Sequence, residues 1–441
     1  MTTKNTLTNP PANPPLVRMR LSIMMFLQYA IWGAWLPIAQ SFLKEHRGLS
    51  DGQVGTIVGF GAIGALFAPF IAGQIADRYM ATQKFLGASH LIGAVLVWQL
   101  AEIKSYELLL AFAIGYSILY APTMPLTNSL AFHHLTDRDK DFGRVRLFGT
   151  LGWIAVGIGV GQWLAHYHTP IGPDISKAAV RAEQVAGMAG AFKLSAILGA
   201  IMGVYCFTLP HTPPRPGAKK FAPFEALSEI RFQPLLTLFL ISIPVSILHQ
   251  FHMYHTAGFL GHLDIPKGGA VEKFNQFIES IFGVGGAGIM TIGQMSEIFC
   301  LAAIPFLAKH FSKKTILRIG LICYAARFAI FAYLPSLQFI IPGLALHGPI
   351  FACFIFLAFT IVDEECTTDV RASAQGLYNL VIVGFGVVIG SQVSGFIGDY
   401  YTNSETKAMD YTGLFSGPMW GALACLALLS LFYPSHKKAA H

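Results

Sequence analysis

Twelve stretches of this chain are apolar for long enough to cross a lipid bilayer, and no other feature constrains its fold as strongly. They cover residues 21–43, 54–76, 83–101, 107–129, 147–166, 188–209, 234–258, 284–308, 315–334, 338–361, 372–397 and 412–433. Roughly 20 apolar residues in helical form suffice for the hydrocarbon core. Backbone N–H and C=O groups find no water there, so such runs must satisfy them internally as helices. Of the 441 residues, 54% are hydrophobic and only 12% charged, about half the charged share of a soluble domain. The expected class is an all-α membrane protein with 12 transmembrane helices. The formal charge of +7 belongs to loops, not to a polyanion site, so no nucleic acid is expected as a partner. The first 18 residues are polar and proline-rich, unlike a signal peptide, and the first helix is read as its own insertion signal. The six cysteines are scattered with no CxxC pair, which reads as small apolar residues and not as disulfides or metal ligands.

Loop charges orient the bundle. An even number of spans puts both termini on one side. Placing that side in the cytoplasm gathers most loop Lys and Arg there, as the positive-inside rule requires. The proline-rich, basic stretch around Arg215, Lys219 and Lys220 separates six spans from six. The division is an N-terminal bundle over 1–209, a cytoplasmic linker over 210–233 and a C-terminal bundle over 234–441. The halves echo each other: Arg146 and Gly149 open the fifth span as Arg371 and Gly376 open the eleventh. Parallel repeats of six spans mark the major facilitator fold, with substrate held at the repeat interface near the bilayer midplane. Gly73, Asp77 and Arg78 resemble that superfamily's loop motif after the second span, although the usual basic cluster is reduced to Lys84. Gly73 permits close helix approach, and the two charges suit a gate.

Within this apolar frame a few polar residues stand out. Glu297 lies midway along the eighth run. A carboxylate at such depth costs at least ~2.5 kcal/mol and must face a partner or a wet cavity. It is therefore a candidate proton carrier, or else a carboxyl bonded to a neighbouring helix. Gln294 lies one turn earlier on the same face. Arg146, Thr150 and Trp153 share a face of the fifth span at i, i+4 and i+7. A planar fork of donors, a hydroxyl and an indole suit a polyhydroxylated ligand with a flat ring. Arg146 read alone equally fits a side chain snorkelling to the interface. On the seventh span Gln250 suits a base or sugar, and His249, His252 and His255 are not spaced as a metal site. On the tenth, His347 and Phe351 share a face: the imidazole can bind substrate, act as a second proton site, or be a satisfied core histidine. Arg327 on the ninth is expected to pair with helix carbonyls or a carboxylate. Gln28, Trp32, Trp35 and Asn128 are further cavity candidates, with packing preferred for the tryptophans.

These motifs together resemble one family of the superfamily, the bacterial nucleoside:proton symporters. The resemblance runs from the first span to the eleventh, through Gln28 to Trp35, Arg146 to Thr150, Gln294 to Glu297, Arg327 to Tyr333, and Arg371 to Gly376. It implies a nucleoside site lined by Arg146, Thr150, Trp153, Gln250, Gln294 and Glu297, with His347 and Phe351 in place of a family Tyr and Phe. It also exposes two departures: Ala352 stands where the family has Asp, and Met253 where it has Asn.

The expected function is a proton-coupled secondary transporter that imports nucleosides by alternating access, with Glu297 as the proton-coupling residue. No cofactor or metal is expected, and the chain is read as a monomer in a bacterial cytoplasmic (inner) membrane. A sugar:proton symporter of the same fold is the nearest alternative. A drug or metabolite exporter and a non-transporting sensor lie further off. No nucleophile–base constellation suggests an enzyme.

Overall fold

The computed structural model describes residues 15–68, 80–136, 138–172, 174–213, 223–266, 268–367 and 370–434. Twelve helices in it are long and apolar enough to span a membrane. In chain order these spans are Pro15–His46, Asp51–Ala68, Thr82–Glu102, Tyr106–His134, Asp141–Tyr167, Lys177–Cys206, Leu235–Gly261, Ala287–His310, Lys313–Tyr333, Leu337–Glu365, Ser373–Tyr400 and Tyr411–Phe432. Each coincides with one apolar run. The helices overrun the runs at several ends, because polar residues continue a helix once it leaves hydrocarbon. Gly73, Asp77 and Arg78 lie outside the described residues.

Two short helices have no counterpart among the apolar runs. Pro223–Ile230 occupies part of the stretch read as linker. Gly269–Phe282 precedes the eighth span, buries Ile278 and Phe282, and leaves Phe274 and Phe277 exposed. It is too short and too amphipathic to read as a span. It stops at Gly283, whose φ of 70° is open to glycine at little cost. The absent side chain also lets the backbone touch the fifth span, where Val284 N–H donates to the Gly161 carbonyl at 3.0 Å.

Two hydrophobic clusters form the core. One gathers the first six spans, from Leu21 to Leu209, and the other the last six, from Ile230 to Tyr433. Only Tyr254 and Ala287 of the later spans join the first cluster. The proline at 37 breaks the first span into a short 3₁₀ turn over Leu36–Ile38, since proline lacks the N–H that a continuing helix needs. The tenth span loosens into a π-helical segment over Phe351–Phe356.

Hydrogen bonds between the two halves gather at the end opposite the termini. There the Asp399 carboxylate, at the end of the eleventh span, accepts from the Asp51 and Gly52 N–H groups at 2.8 Å each. These are unpaired donors at the start of the second span, where the helix dipole favours an anion. The Tyr254 hydroxyl donates to the Asp51 carbonyl at 2.7 Å, and the Gln162 amide to the Ser280 carbonyl at 3.0 Å. Asp51 itself is fully buried and paired with Lys44. Asp399→Asn removes the charge of this clasp, worth about 1 kcal/mol at a helix start, and replaces one of its two acceptor oxygens by a donor. Its expected effect is at least a roughly fivefold shift toward the form open at that end. Faster reaction of a cysteine placed at Gln392 with a thiol reagent supplied to that side, in a background lacking the native cysteines, measures it. An unchanged rate contradicts it.

Candidate functional site

The polar residues of both halves meet where the fifth span faces the eighth. Glycines bring the first and fifth spans together: a Cβ at Gly149 would sit 2.6 Å from the Tyr29 ring, and one at Gly33 would sit 2.9 Å from the Trp153 ring. This contact turns Arg146 into the bundle, its guanidinium 4.0 Å from the Tyr29 ring centroid. Of the two sequence readings for Arg146, the snorkelling one is therefore not realised. Cation–π contact of this kind stabilises the guanidinium without consuming its N–H donors. Trp153 meets Trp32 edge to face, with centroids 6.0 Å apart. Thr150 lies between Arg146 and Trp153 on the same face and is partly accessible.

Across the interface stand Gln294 and Glu297. The Gln294 side-chain carbonyl is buried with no hydrogen-bond partner, an acceptor that costs on the order of 1–3 kcal/mol when left unmade. Glu297 is partly accessible and near Arg146 across the interface, without an ion pair joining them. Gly293 and Gly348 pack the eighth and tenth spans closely: a Cβ at Gly293 would lie 2.9 Å from that of His347. The imidazole Nε2 of His347 thereby comes within 3.8 Å of Glu297 Oε2. Phe351 stacks one turn below, centroids 6.4 Å apart at 26°.

Several residues are committed elsewhere. The Gln250 amide donates to the Ser391 hydroxyl at 2.9 Å, so in this conformation it ties the seventh span to the eleventh. Gln28, a cavity candidate from sequence, is fully buried inside the first half. Its amide donates to the Thr123 hydroxyl at 2.8 Å, and its carbonyl lies 3.0 Å from His90 Nε2. The three seventh-span histidines take separate partners: His249 the Tyr324 hydroxyl, His252 the Thr256 hydroxyl and His255 the Ser394 carbonyl. Arg327 corrects the expectation of a carbonyl or carboxylate partner. It is fully buried, lies 3.3 Å from His347 Nδ1, and rests near the rings of Tyr324 and Phe328. No carboxylate pairs with it among the described residues. Tyr29 was not identifiable from sequence, because an aromatic in an apolar helix carries no mark of the cation it will meet. Ala352 is completely buried in the apolar cluster of the second half.

A family model described as Nucleoside H+ symporter matches residues 16–438. The chain belongs to the nucleoside H+ symporter family. It is a multi-pass, proton-coupled nucleoside transporter, not an enzyme. The putative nucleoside transporter YegT of Escherichia coli is 30% identical over 427 residues, which cover 94% of this symporter and 92% of that protein. The nucleoside permease NupG of the same organism is 25% identical over 437 residues, covering 95% and 97%. The crystal structure of the nucleoside transporter NupG matches with a TM-score of 0.78 at 23% identity, over 95% of this symporter and 100% of that chain. That likeness carries the fold: two six-helix halves in the major facilitator arrangement.

Proposed function

We propose that this symporter imports a nucleoside together with a proton, and that both bind between the fifth span and the eighth and tenth. The observation that carries the reading is the buried, unpartnered Gln294 carbonyl one turn from Glu297 on the eighth span, which packs against the fifth span that bears Arg146 and Thr150. A nucleoside offers what such a site lacks. Its base carries N–H donors for Gln294, its ribose carries hydroxyls for Glu297 and Arg146, and its flat ring fits between Trp153 and Phe351. Gln250 joins the site once its bond to Ser391 opens. Glu297 carries the coupling proton, and no cofactor takes part.

The basic loops support a cytoplasmic placement of both termini, in the cytoplasmic membrane of a bacterium. The clasp around Asp51 and Asp399 then lies outside, and it joins the halves at the exterior end. Import proceeds as the halves rock about the bound pair, with proton and nucleoside each biasing the same equilibrium. The protein works in the bilayer as a monomer, each copy containing a whole site.

Cells without their own nucleoside importers, expressing this chain, are expected to accumulate labelled uridine or adenosine, and a protonophore is expected to abolish that accumulation. Uptake of sugar in place of nucleoside would favour the sugar:proton alternative. Uptake indifferent to the protonophore would refute coupling.

A further inference from the structure

Behind Glu297 lies a buried polar chain that the binding face does not use. His347, on the tenth span, stands between two groups of opposite charge. Its Nε2 is 3.8 Å from the Glu297 carboxylate and its Nδ1 is 3.3 Å from Arg327 Nη1. Arginine has five donors and no acceptor. The contact therefore requires the lone pair of His347 at Nδ1. The single proton of the neutral ring must then sit on Nε2, on the side of Glu297. A second proton would put an N–H against the guanidinium and break the only polar contact that Arg327 makes among the described residues.

Other groups around the ring do not loosen this assignment. His249 and His252 of the seventh span lie alongside, with ring centroids 5.5 Å and 5.6 Å away. Both have Nδ1 committed, to the Tyr324 and Thr256 hydroxyls. Arg146, on the fifth span, is a further charge near Glu297. Arg327 is fully buried, and among the described residues its Nη1 has no partner besides His347.

We infer that Arg327 locks His347 as a fixed N–H donor aimed at Glu297, and that this donor, not a titrating imidazole, sets when Glu297 gives up the coupling proton. Of the roles open to His347 from sequence, this makes it a positioning residue and not a second proton site. The inference rests on Glu297 as the proton carrier. A donor beside a carboxylate favours the charged form. At 3.8 Å the pair lies outside hydrogen-bond range, and an approach of about 0.6 Å or more as the halves rock brings it within range, which couples the conformational change to proton release.

The test compares the pH dependence of nucleoside uptake in His347→Leu and His347→Gln. Glutamine can accept from Arg327 through its carbonyl and donate to Glu297 through its amide, whereas leucine does neither. His347→Leu is expected to move the midpoint up by about one pH unit, a tenfold change in proton activity. His347→Gln is expected to stay near the parent. A midpoint unmoved by leucine, or moved equally by both, overturns the inference. Should the leucine variant fail to reach the membrane, His347→Asn takes its place, since its shorter amide meets Arg327 but falls short of Glu297. Glu297→Gln run in parallel separates the layers. If it still accumulates substrate, the proton-carrier reading has failed. If it does not, and the His347 variants show no shift, only the present inference has failed.

Discussion

Replacing Glu297 with glutamine is expected to abolish proton-driven accumulation while sparing exchange of labelled for unlabelled nucleoside. The substitution conserves shape and hydrogen-bonding capacity and removes the titrating group. Symport requires that the empty carrier reorient differently with and without its proton. A permanently neutral side chain erases that difference, so the carrier equilibrates substrate across the membrane at an inside-to-outside ratio of about one. Exchange needs only binding and rocking, so it survives, and its survival shows that the variant is folded and inserted. The measurement is uphill uptake and exchange in the same vesicles, with an imposed proton gradient. Accumulation that persists in the variant would sink the role given to Glu297. Loss of both activities in a variant shown to be inserted in the membrane would mean that the carboxylate is needed for binding itself.

A second large effect is expected at the interface between the halves. Gly55, in the second span, lies against the eleventh: a Cβ there would fall 3.1 Å from the Gly395 Cα and nearer still to the Ser391 carbonyl. Neither neighbour is a flexible side-chain tip, so neither can move without carrying its helix. Gly55→Leu therefore cannot close that end as the parent does. Forcing extra bulk into a packed contact costs about 1–3 kcal/mol, which shifts the conformational equilibrium roughly 5- to 150-fold toward the form open at that end. Uptake is expected to fall at least about fivefold, since a cycle that cannot close on one side cannot deliver to the other. Nucleoside binding to the stalled form is expected to remain. Accessibility of a cysteine at Gln392 reads the equilibrium directly, and full transport by the leucine variant would show that this contact is not required to close.

The candidate site was only partly legible in sequence, and particular residues show why. Glu297 announced itself because a carboxylate in an apolar run has few tolerable surroundings. Arg146, Thr150 and Trp153 were legible because helical spacing places them on one face whatever that face meets. Gln28 looked equally suitable and serves a different purpose, filling hydrogen bonds to Thr123 and His90 inside one half. Gln250 is engaged by Ser391, far away in sequence. Arg327 was plainly in need of a partner, and that partner proved to be an imidazole. Such pairings depend on which helix faces which, and a local pattern of residues does not encode that.

Length, apolarity and loop charge by themselves determined the helical class, the twelve spans and their grouping in two sixes, because the hydrocarbon imposes those constraints on each segment separately. The depth of Glu297 and the shared face on the fifth span followed from helix geometry alone. Tertiary structure decided the rest: which polar groups remain unmet, which are spent inside a half, and at which end the two halves are sealed. These are properties of contacts between helices. Glycines such as Gly33, Gly55, Gly149 and Gly293 set how near the helices come, and rotating a helix by about a third of a turn exchanges a ligand for a packing residue.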